Sequence, residues 1–137
     1  MVSSRSLDDL DPRVKTLCEA FLEKTAGMGF DVIITSTYRD FDAQQLLWQQ
    51  GRGTPGSIVT NAKPGESFHN YRYAFDFVPL VNGKCAWGDS ATFTQCGQAA
   101  EALGLEWAGR WSGPLREMAH CQMAGLRIQE LIDGKRP

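Results

Sequence analysis

The stretch Tyr73-Ala74-Phe75-Asp76-Phe77-Val78-Pro79-Leu80 organises the chain. It is rich in aromatic and β-branched residues, and we predict a strand over residues 73–80. Because side chains alternate along a strand, Asp76 shares one face with Ala74 and Val78, while the aromatic residues take the other. Both faces are apolar, which predicts a strand that is buried on both sides. A carboxylate in such a place is costly unless it is paired, and the expected partners are a metal ion, Arg39 or Arg72.

The other predicted elements surround this strand. Further strands are predicted over residues 31–36 and 118–123. Helices are predicted over four segments, the first from apolar residues at three- and four-residue steps: 7–27, 41–50, 90–103 and 126–132. Two glycine-containing segments, 52–65 and 107–114, are predicted loops, and a loop as long as the first is usually functional. Helices and strands do not alternate as regular βαβ units. This favours an α+β fold with a small, mainly antiparallel sheet and flanking helices.

Length and composition exclude several classes of protein. A chain of 137 residues is expected to form one domain, residues 1–137, with a core of its own. The formal net charge is -2 and the basic residues are scattered, so no nucleic-acid-binding surface is predicted. No apolar run approaches the roughly 20 residues that a membrane span needs. Residues 1–13 lack the apolar segment of a secretory signal, so we expect a protein that stays in the cytoplasm unless it is released.

The four cysteines are expected to be reduced. None of them belongs to a C-x-x-C pair, which argues against a zinc site made of Cys18, Cys85, Cys96 and Cys121. Without a secretory signal, the prediction is four thiols that behave as small hydrophobic side chains.

Two histidines are present, and each lies near a carboxylate in the sequence. His69 precedes Asp76 by seven residues, and Glu117 precedes His120 by three. Two imidazoles and one carboxylate form a common catalytic zinc shell with an open fourth position, and Glu117 would then be the general base. From spacing alone the alternatives stay open, because no H-E-x-x-H signature is present. They are histidines without a metal, an Asp76 that caps a turn or pairs with an arginine, and a solvated Glu117.

Arg39 and three tryptophans complete the candidate residues. Arg39 follows the first predicted strand, where a cation can bind a substrate carboxylate or a developing oxyanion. The alternative is a surface arginine that pairs with Asp40 or Asp42. The tryptophans in question are Trp87, Trp107 and Trp111. Their side chains are expected either to line a groove or to pack in the core, and packing in the core is the commoner outcome.

Several short motifs, in order and at consistent spacing, resemble one known family. They are Ile34-Thr35-Ser36-Thr37-Tyr38-Arg39, Gln44 with Leu47, Gly51-Arg52, Val59-Thr60-Asn61-Ala62, Ser67-Phe68-His69-Asn70, Ala74-Phe75-Asp76, Leu103-Gly104-Leu105-Glu106-Trp107, Trp111, and Glu117 with His120. Together they resemble the L-alanyl-D-glutamate endopeptidases, phage endolysins and related bacterial enzymes that cut peptidoglycan stem peptides. With the D-alanyl-D-alanine carboxypeptidases, those enzymes form the LAS group of zinc metallopeptidases. The resemblance covers roughly residues 32–123.

The resemblance implies a role for each candidate residue. His69, Asp76 and His120 would be the zinc ligands, and Glu117 the catalytic base. Arg39 would polarise the scissile carbonyl or hold the oxyanion. Ser67 would either contact the substrate or support the ligands, and Gln44 would support the loop of Arg39.

The resemblance also implies an activity and a setting. The expected reaction is zinc-dependent hydrolysis of the L-Ala–D-Glu bond of the peptidoglycan stem peptide, by a monomer without a separate cell-wall-binding domain. The expected setting is a phage or prophage endolysin in the cytoplasm of a bacterial host, released to the wall by a separate membrane-permeabilising protein. The alternatives are a D,D-carboxypeptidase of the same group and a non-catalytic, zinc-containing binding domain.

The chain departs from the family pattern S-x-H-x-x-G-x-A-x-D at one informative position. Arg72 stands where the family usually has glycine, so the turn after His69 is expected to avoid a conformation that only glycine tolerates. Arg72 would also alter substrate preference if it reaches the cleft. The other departures from the family pattern are Thr37, Ala119 and Cys121, and none of them removes a candidate ligand.

Overall fold

The central strand of the sheet is β2, Ala74–Val81. In the computed structural model, which describes residues 1–137, β1 (Asp31–Ser36) pairs with one side of β2 and β5 (His120–Met123) with the other. The strand β4 (Leu105–Trp107) extends the sheet beyond β5, and β3 (Lys84–Cys85) forms a hairpin with the end of β2. Every pairing is antiparallel.

Four α-helices flank this sheet, and a side chain caps the first turn of each of the three long ones. They are α1 (Pro12–Gly27), α2 (Phe41–Gln49), α3 (Ser90–Ala102) and α4 (Ile128–Ile132). The capping carboxylates each accept a hydrogen bond from a backbone N–H of the first turn, and they belong to Asp11, Asp40 and Asp89. These caps satisfy donors that have no partner inside the helix. No helix is long and apolar enough to cross a membrane.

An aromatic cluster fills the core on one face of β2. The ring of Phe21, from α1, lies 5.5 Å from the ring of Phe75 and 5.0 Å from that of Phe77. The ring of Phe77 also lies 5.4 Å from that of Phe93, from α3. All four side chains are buried, and aromatic pairs in such tilted contacts stabilise the core beyond the area that they bury.

Trp107 is held between two glycines. A Cβ atom added to Gly97 or to Gly109 would lie 2.1 Å from the Trp107 indole, which is far inside van der Waals contact. The indole nitrogen of Trp107 donates to the carbonyl oxygen of Met118 at 2.8 Å. Trp107 is therefore a core residue that ties the end of β4 to the segment before β5.

The α+β class with a small antiparallel sheet is confirmed, as are most of the element positions. The first strand has the predicted bounds, and the central strand is shifted by one residue. The prediction missed the two short strands β3 and β4, which are set by pairing with a neighbour rather than by their own pattern. The first helix begins at Pro12 instead of residue 7, with a separate 3-10 turn at Leu7–Asp9 before it.

The prediction for the turn after His69 was wrong. Arg72 adopts the left-handed conformation, with φ 72° and ψ 21°, where the family usually has glycine. Its guanidinium lies 3.8 Å from the centre of the Tyr38 ring and donates to the carbonyl oxygen of Asp9 at 2.9 Å. These contacts offset the strain of a non-glycine residue there. They also direct the side chain away from the cleft, so Arg72 does not line it.

The cysteines are all free, as predicted, but one of them is not a core residue. Burial raises the pKa of the Cys18 thiol to about 12 and that of Cys96 to about 11. Cys121 is buried as well, whereas Cys85 is exposed. Cys85 lies on the two-residue strand β3, which has no layer packed over it.

Candidate active site

Two neighbouring strands and one turn bring the candidate ligands together. Asp76 on β2 is the register partner of His120 on β5, so their side chains leave the sheet side by side. His69 comes from the 3-10 turn Phe68–Tyr71, which precedes β2. The ligand atoms of His69, Asp76 and His120 all lie within 4.8 Å of one another. The grouping predicted from the sequence therefore exists in the fold.

Asp76 contacts both imidazoles and no arginine side chain. Its Oδ1 lies 3.1 Å from His69 Nε2 and 3.2 Å from His120 Nδ1. Of the partners considered for this carboxylate, Arg72 points away, and Arg39 makes no hydrogen bond to it. The two imidazole rings are 5.1 Å apart and nearly perpendicular. Their edges converge on the same carboxylate oxygen.

The backbone around Thr37 orients His69. The Nδ1–H of His69 donates to the carbonyl oxygen of Thr37 at 2.8 Å, which leaves Nε2 to face Asp76. The hydroxyl of Ser67 accepts from the backbone N–H of His69 at 3.2 Å and so caps the 3-10 turn. Ser67 also lines the cleft. Its position fits either of the two supporting roles that the resemblance implies.

The environment of the site shifts the pKa values of Asp76, His120 and Glu117. Burial alone would raise the pKa of Asp76, but His69 and His120 hold it well below its usual range. Burial opposes the charged form of His120, yet the hydrogen bond to Asp76 and the negative charges of Asp76 and Glu117 together outweigh it and raise the pKa of that imidazole. Burial, with the nearby charge of Asp76, raises the pKa of Glu117. Glu117 lines the same cleft and is exposed to solvent there, so its carboxyl group lies beside the candidate ligands without being enclosed.

Arg39 lies in the cleft and not on the surface. Its Nη1 donates to Gln44 Oε1 at 2.9 Å, and its Nη2 lies 3.3 Å from the hydroxyl of Ser36. Neither Asp40 nor Asp42 pairs with it, because the Asp40 carboxylate caps α2 instead. Burial lowers the pKa of the guanidinium, and its Nε has no hydrogen-bond partner within the protein.

Gln44 connects Arg39 to the long loop. Its side chain is fully buried, accepts from Arg39 through Oε1, and donates through Nε2 to the carbonyl oxygen of Ala62 at 2.8 Å. The loop 52–65 is therefore anchored to the same residue that positions the guanidinium. This contact pattern agrees with the supporting role predicted for Gln44.

The cleft itself is open and has a volume of about 660 Å³. The long loop forms one wall and the 3-10 turn Gly113–Leu115 another, and Asn61 Nδ2 donates across to the carbonyl oxygen of Pro114 at 3.2 Å. Of the three candidate tryptophans, Trp111 lines the cleft and lies 6.0 Å from the His120 ring. Trp107 packs in the core, and Trp87 is exposed outside the cleft.

Two residues of the site were missed from the sequence. Gln122 Oε1 lies 2.8 Å from His120 Nε2, and Gln122 Nε2 donates to Glu106 Oε2 at 3.1 Å. The signal that could have found Gln122 is its spacing, because residues two apart on a strand share a face. Glu106 could not have been found in this way, since it comes from another strand.

The antiparallel α+β fold carries a His–Asp–His cluster that could hold a metal ion and that faces a cleft. The chain belongs to the VanY family, whose model, described as D-alanyl-D-alanine carboxypeptidase, matches residues 7–111. It is 37% identical over 124 residues to the peptidoglycan L-alanyl-D-glutamate endopeptidase CwlK of Bacillus subtilis, covering 84% of this chain and 74% of that protein. The predicted family resemblance and the prediction of an enzyme are confirmed.

Two solved structures share the fold. The L-Ala D-Glu endopeptidase ChiX of Serratia marcescens superposes with a TM-score of 0.66 at 18% identity, over 90% of this chain and 89% of that one. The vancomycin-resistance D,D-pentapeptidase VanY, solved in complex with Zn(II), superposes with a TM-score of 0.64 at 14% identity, over 90% of this chain and 78% of that one. The family match ends before Glu117 and His120, which the fold brings to the cluster.

Proposed function

We propose that this protein is a zinc-dependent endopeptidase that hydrolyses the L-Ala–D-Glu bond of peptidoglycan stem peptides. The observation that carries the proposal is the convergence of His69, Asp76 and His120 in a cleft that also contains Glu117 and Arg39. In amide hydrolysis the first three would hold the metal ion, Glu117 would move the proton, and Arg39 would stabilise the developing oxyanion. The arrangement also argues against a non-catalytic binding domain, which would not need Glu117 in the cleft.

The donor set fits zinc. Two imidazole nitrogens and one carboxylate oxygen are a common protein shell for catalytic zinc, with one position left for water or substrate. Donors at about 2.0–2.1 Å from zinc in a tetrahedral arrangement are roughly 3.3 Å apart. The two distances from Asp76 Oδ1 to the imidazole nitrogens, 3.1 Å and 3.2 Å, are close to that separation. When bound, zinc supplies the Lewis acidity that lowers the pKa of water and polarises a carbonyl.

The side chains of the cleft supply the proton transfers and the charge stabilisation. Glu117 removes the proton from the attacking water and returns it to the leaving amine, as general base and then general acid. Its raised pKa suits both tasks, because a carboxyl group of ordinary pKa is a poorer proton donor near neutral pH. Arg39 stabilises the oxyanion that develops on the scissile carbonyl, from a half-buried position in the cleft where its charge is screened less than at the open surface.

The substrate assignment has two supports. The relative CwlK is by name a peptidoglycan L-alanyl-D-glutamate endopeptidase, and the identity to it extends over most of both chains. The cleft of this protein is open and bounded by the long loop and the turn Gly113–Leu115, which suits a segment within a peptide. The second candidate, a D,D-carboxypeptidase, draws support from the description of the family model.

Mass spectrometry of purified peptidoglycan after digestion distinguishes the two activities. An endopeptidase of the proposed specificity produces stem fragments with a new N-terminal glutamate, whereas a carboxypeptidase releases D-alanine. The matched control is Glu117→Gln, which keeps the size of the side chain and removes the base. Release of D-alanine without any new glutamate terminus would replace the proposed function with the second candidate.

Metal analysis tests the zinc proposal separately. We expect close to one zinc per chain, and loss of hydrolysis when a chelator removes it. Restoration by added zinc completes the test. A protein that contains no metal and remains active in chelator would contradict it.

We also propose a lytic setting, in which a monomeric phage or prophage enzyme reaches the wall from the host cytoplasm with the help of a separate membrane-permeabilising protein. The support is the motif resemblance to phage endolysins. Expression in a bacterial host with and without such a protein tests the setting, and we expect lysis only when both are present. Lysis by this chain alone would contradict the dependence on a second protein.

A further inference from the structure

A polar chain leads from the candidate ligand His120 into the sheet. His120 and Gln122 alternate along β5 and so share one face. Gln122 is the register partner of Glu106 on β4, which places the two side chains next to each other. Their hydrogen bonds run from His120 Nε2 to Gln122 Oε1 at 2.8 Å, and from Gln122 Nε2 to Glu106 Oε2 at 3.1 Å. Gln122 is only 5% exposed.

The chemistry of these groups fixes the direction of the chain. The carboxylate of Glu106 only accepts hydrogen bonds, so the Gln122 group that faces it must be the amide NH₂. The carbonyl oxygen of Gln122 then faces His120, where it accepts the proton of Nε2. An imidazole that keeps its proton on Nε2 presents the lone pair of Nδ1 to a metal. Nδ1 is the His120 atom that faces Asp76.

The other imidazole is oriented in a different way. His69 donates from Nδ1 to the backbone carbonyl of Thr37, and a backbone carbonyl cannot turn over. For His120 the acceptor is a side-chain amide, whose oxygen and nitrogen can exchange places by a rotation of half a turn. The amide therefore needs a third group to hold it, and Glu106 is that group.

We propose that Glu106 and Gln122 are positioning residues, which hold the Nε2 proton of His120 and thereby present its Nδ1 to the metal. The inference rests on the metal site of the proposed function. Side chains that orient a histidine ligand typically contribute about 10- to 100-fold to metal affinity. Neither residue belongs to the cluster of candidate ligands, so their effect on the metal passes through His120.

The first test is the affinity for zinc, measured by competition with a chelator of known affinity. Glu106→Gln replaces a carboxylate, which only accepts, by an amide of the same size that can both donate and accept, so the orientation of the Gln122 amide is no longer fixed. We expect zinc affinity to fall about 10- to 100-fold. The matched control is Glu101→Gln, which makes the same change on α3, where the carboxylate pairs with Arg110 on the surface. The control should bind zinc as the unchanged protein does.

A double variant separates positioning from a general loss of packing. Gln122→Glu alone places two carboxylates against each other and should weaken zinc binding. The double variant Glu106→Gln/Gln122→Glu exchanges the carboxylate and the amide between the two positions. The carboxylate at position 122 then accepts from His120, and the amide at position 106 donates to that carboxylate. We expect the double variant to bind zinc more tightly than either single variant, by at least several-fold.

A spectroscopic readout completes the test. The Nε2 proton of His120 should give an NMR signal that is protected from solvent exchange in the unchanged protein, and protection should fall in Glu106→Gln. Unchanged zinc affinity and unchanged proton protection in Glu106→Gln would overturn the inference. An unchanged protein that fails to bind zinc would instead contradict the proposed function, while the exchange of this proton in the metal-free protein would still decide the role of Glu106.

Discussion

The two faces of strand β2 differ in how they are held together. On one face, Phe75 and Phe77 pack with aromatic side chains from α1 and α3, and contact area is what stabilises them. On the other, Asp76 contacts two imidazoles, and each ring finds an acceptor for its second nitrogen. The apolar face tolerates changes of shape that conserve volume, whereas the polar face depends on each donor meeting its acceptor. Stability and chemistry are thus divided between adjacent residues of one strand.

The largest effect is expected at a ligand of the polar face. His120→Ala removes one of the three donors, so we expect zinc content to fall sharply and peptidoglycan hydrolysis to be abolished. The aromatic face is untouched, and the protein should still unfold cooperatively. Metal analysis, hydrolysis and thermal unfolding on the same preparation check this. Retained activity would show that His120 is not part of the site.

The next largest effect is expected at Glu117, where it shows whether this residue is a general base or a zinc ligand. Glu117→Gln should lower turnover by about 10²–10⁴-fold, the usual contribution of general acid–base catalysis, because an amide cannot accept the proton. Zinc content and the unfolding temperature should change little. Turnover numbers and metal analysis are the measurements. Loss of zinc together with activity would make Glu117 a ligand.

Arg39 tests whether the polar face depends on geometry as well as charge. Arg39→Lys keeps the charge but loses the planar fork that bonds Gln44, and we expect kcat to fall by about 10²–10³-fold. Zinc content should be unchanged. Full activity in Arg39→Lys would contradict the role at the oxyanion. A collapse in thermal stability without a specific loss of rate would assign Arg39 to the fold instead.

A variant on the apolar face should lose stability and keep its activity, the opposite of the variants in the cleft. Gly97→Ala inserts a methyl group into the space of the Trp107 indole, and overpacking of this kind costs about 1–3 kcal/mol. The variant should unfold at a lower temperature, yet hydrolyse peptidoglycan normally while folded. Gly88→Ala is the control, because a Cβ atom there meets nothing within 4 Å. A loss of rate in folded Gly97→Ala would mean that the two faces are coupled.

The smallest effects are expected for substitutions of the cysteines. Two such variants compare the change in unfolding free energy at the surface with the change in the core. Cys85→Ser changes an exposed thiol and should alter stability by less than about 0.5 kcal/mol. Cys121→Ser places a hydroxyl group in a fully buried position, where an unpaired polar group costs about 1–3 kcal/mol. Denaturant unfolding of both variants measures the difference. Equal stability would show that the Cys121 side chain finds a partner for its hydroxyl.

The sequence was sufficient wherever a local pattern carries the information. The β-branched run of β1 and the aromatic run of β2 predicted their strands nearly to the residue, because alternation and side-chain type act within a few residues. The two histidines with Asp76 and Glu117 were found because few other residues can bind zinc or move a proton at neutral pH. The conformation of Arg72 was misjudged, since the contacts with Tyr38 and Asp9 that stabilise it come from distant parts of the chain.

By itself, the sequence determined the α+β class, the candidate zinc ligands and the candidate base, because these follow from periodicity and from the chemistry of single side chains. Only the tertiary structure decided which groups meet. The register of β2 against β5 sets Asp76 beside His120, and that of β4 against β5 sets Glu106 beside Gln122. Register depends on the packing of the whole sheet, and a shift of one residue would turn each of these side chains to the other face.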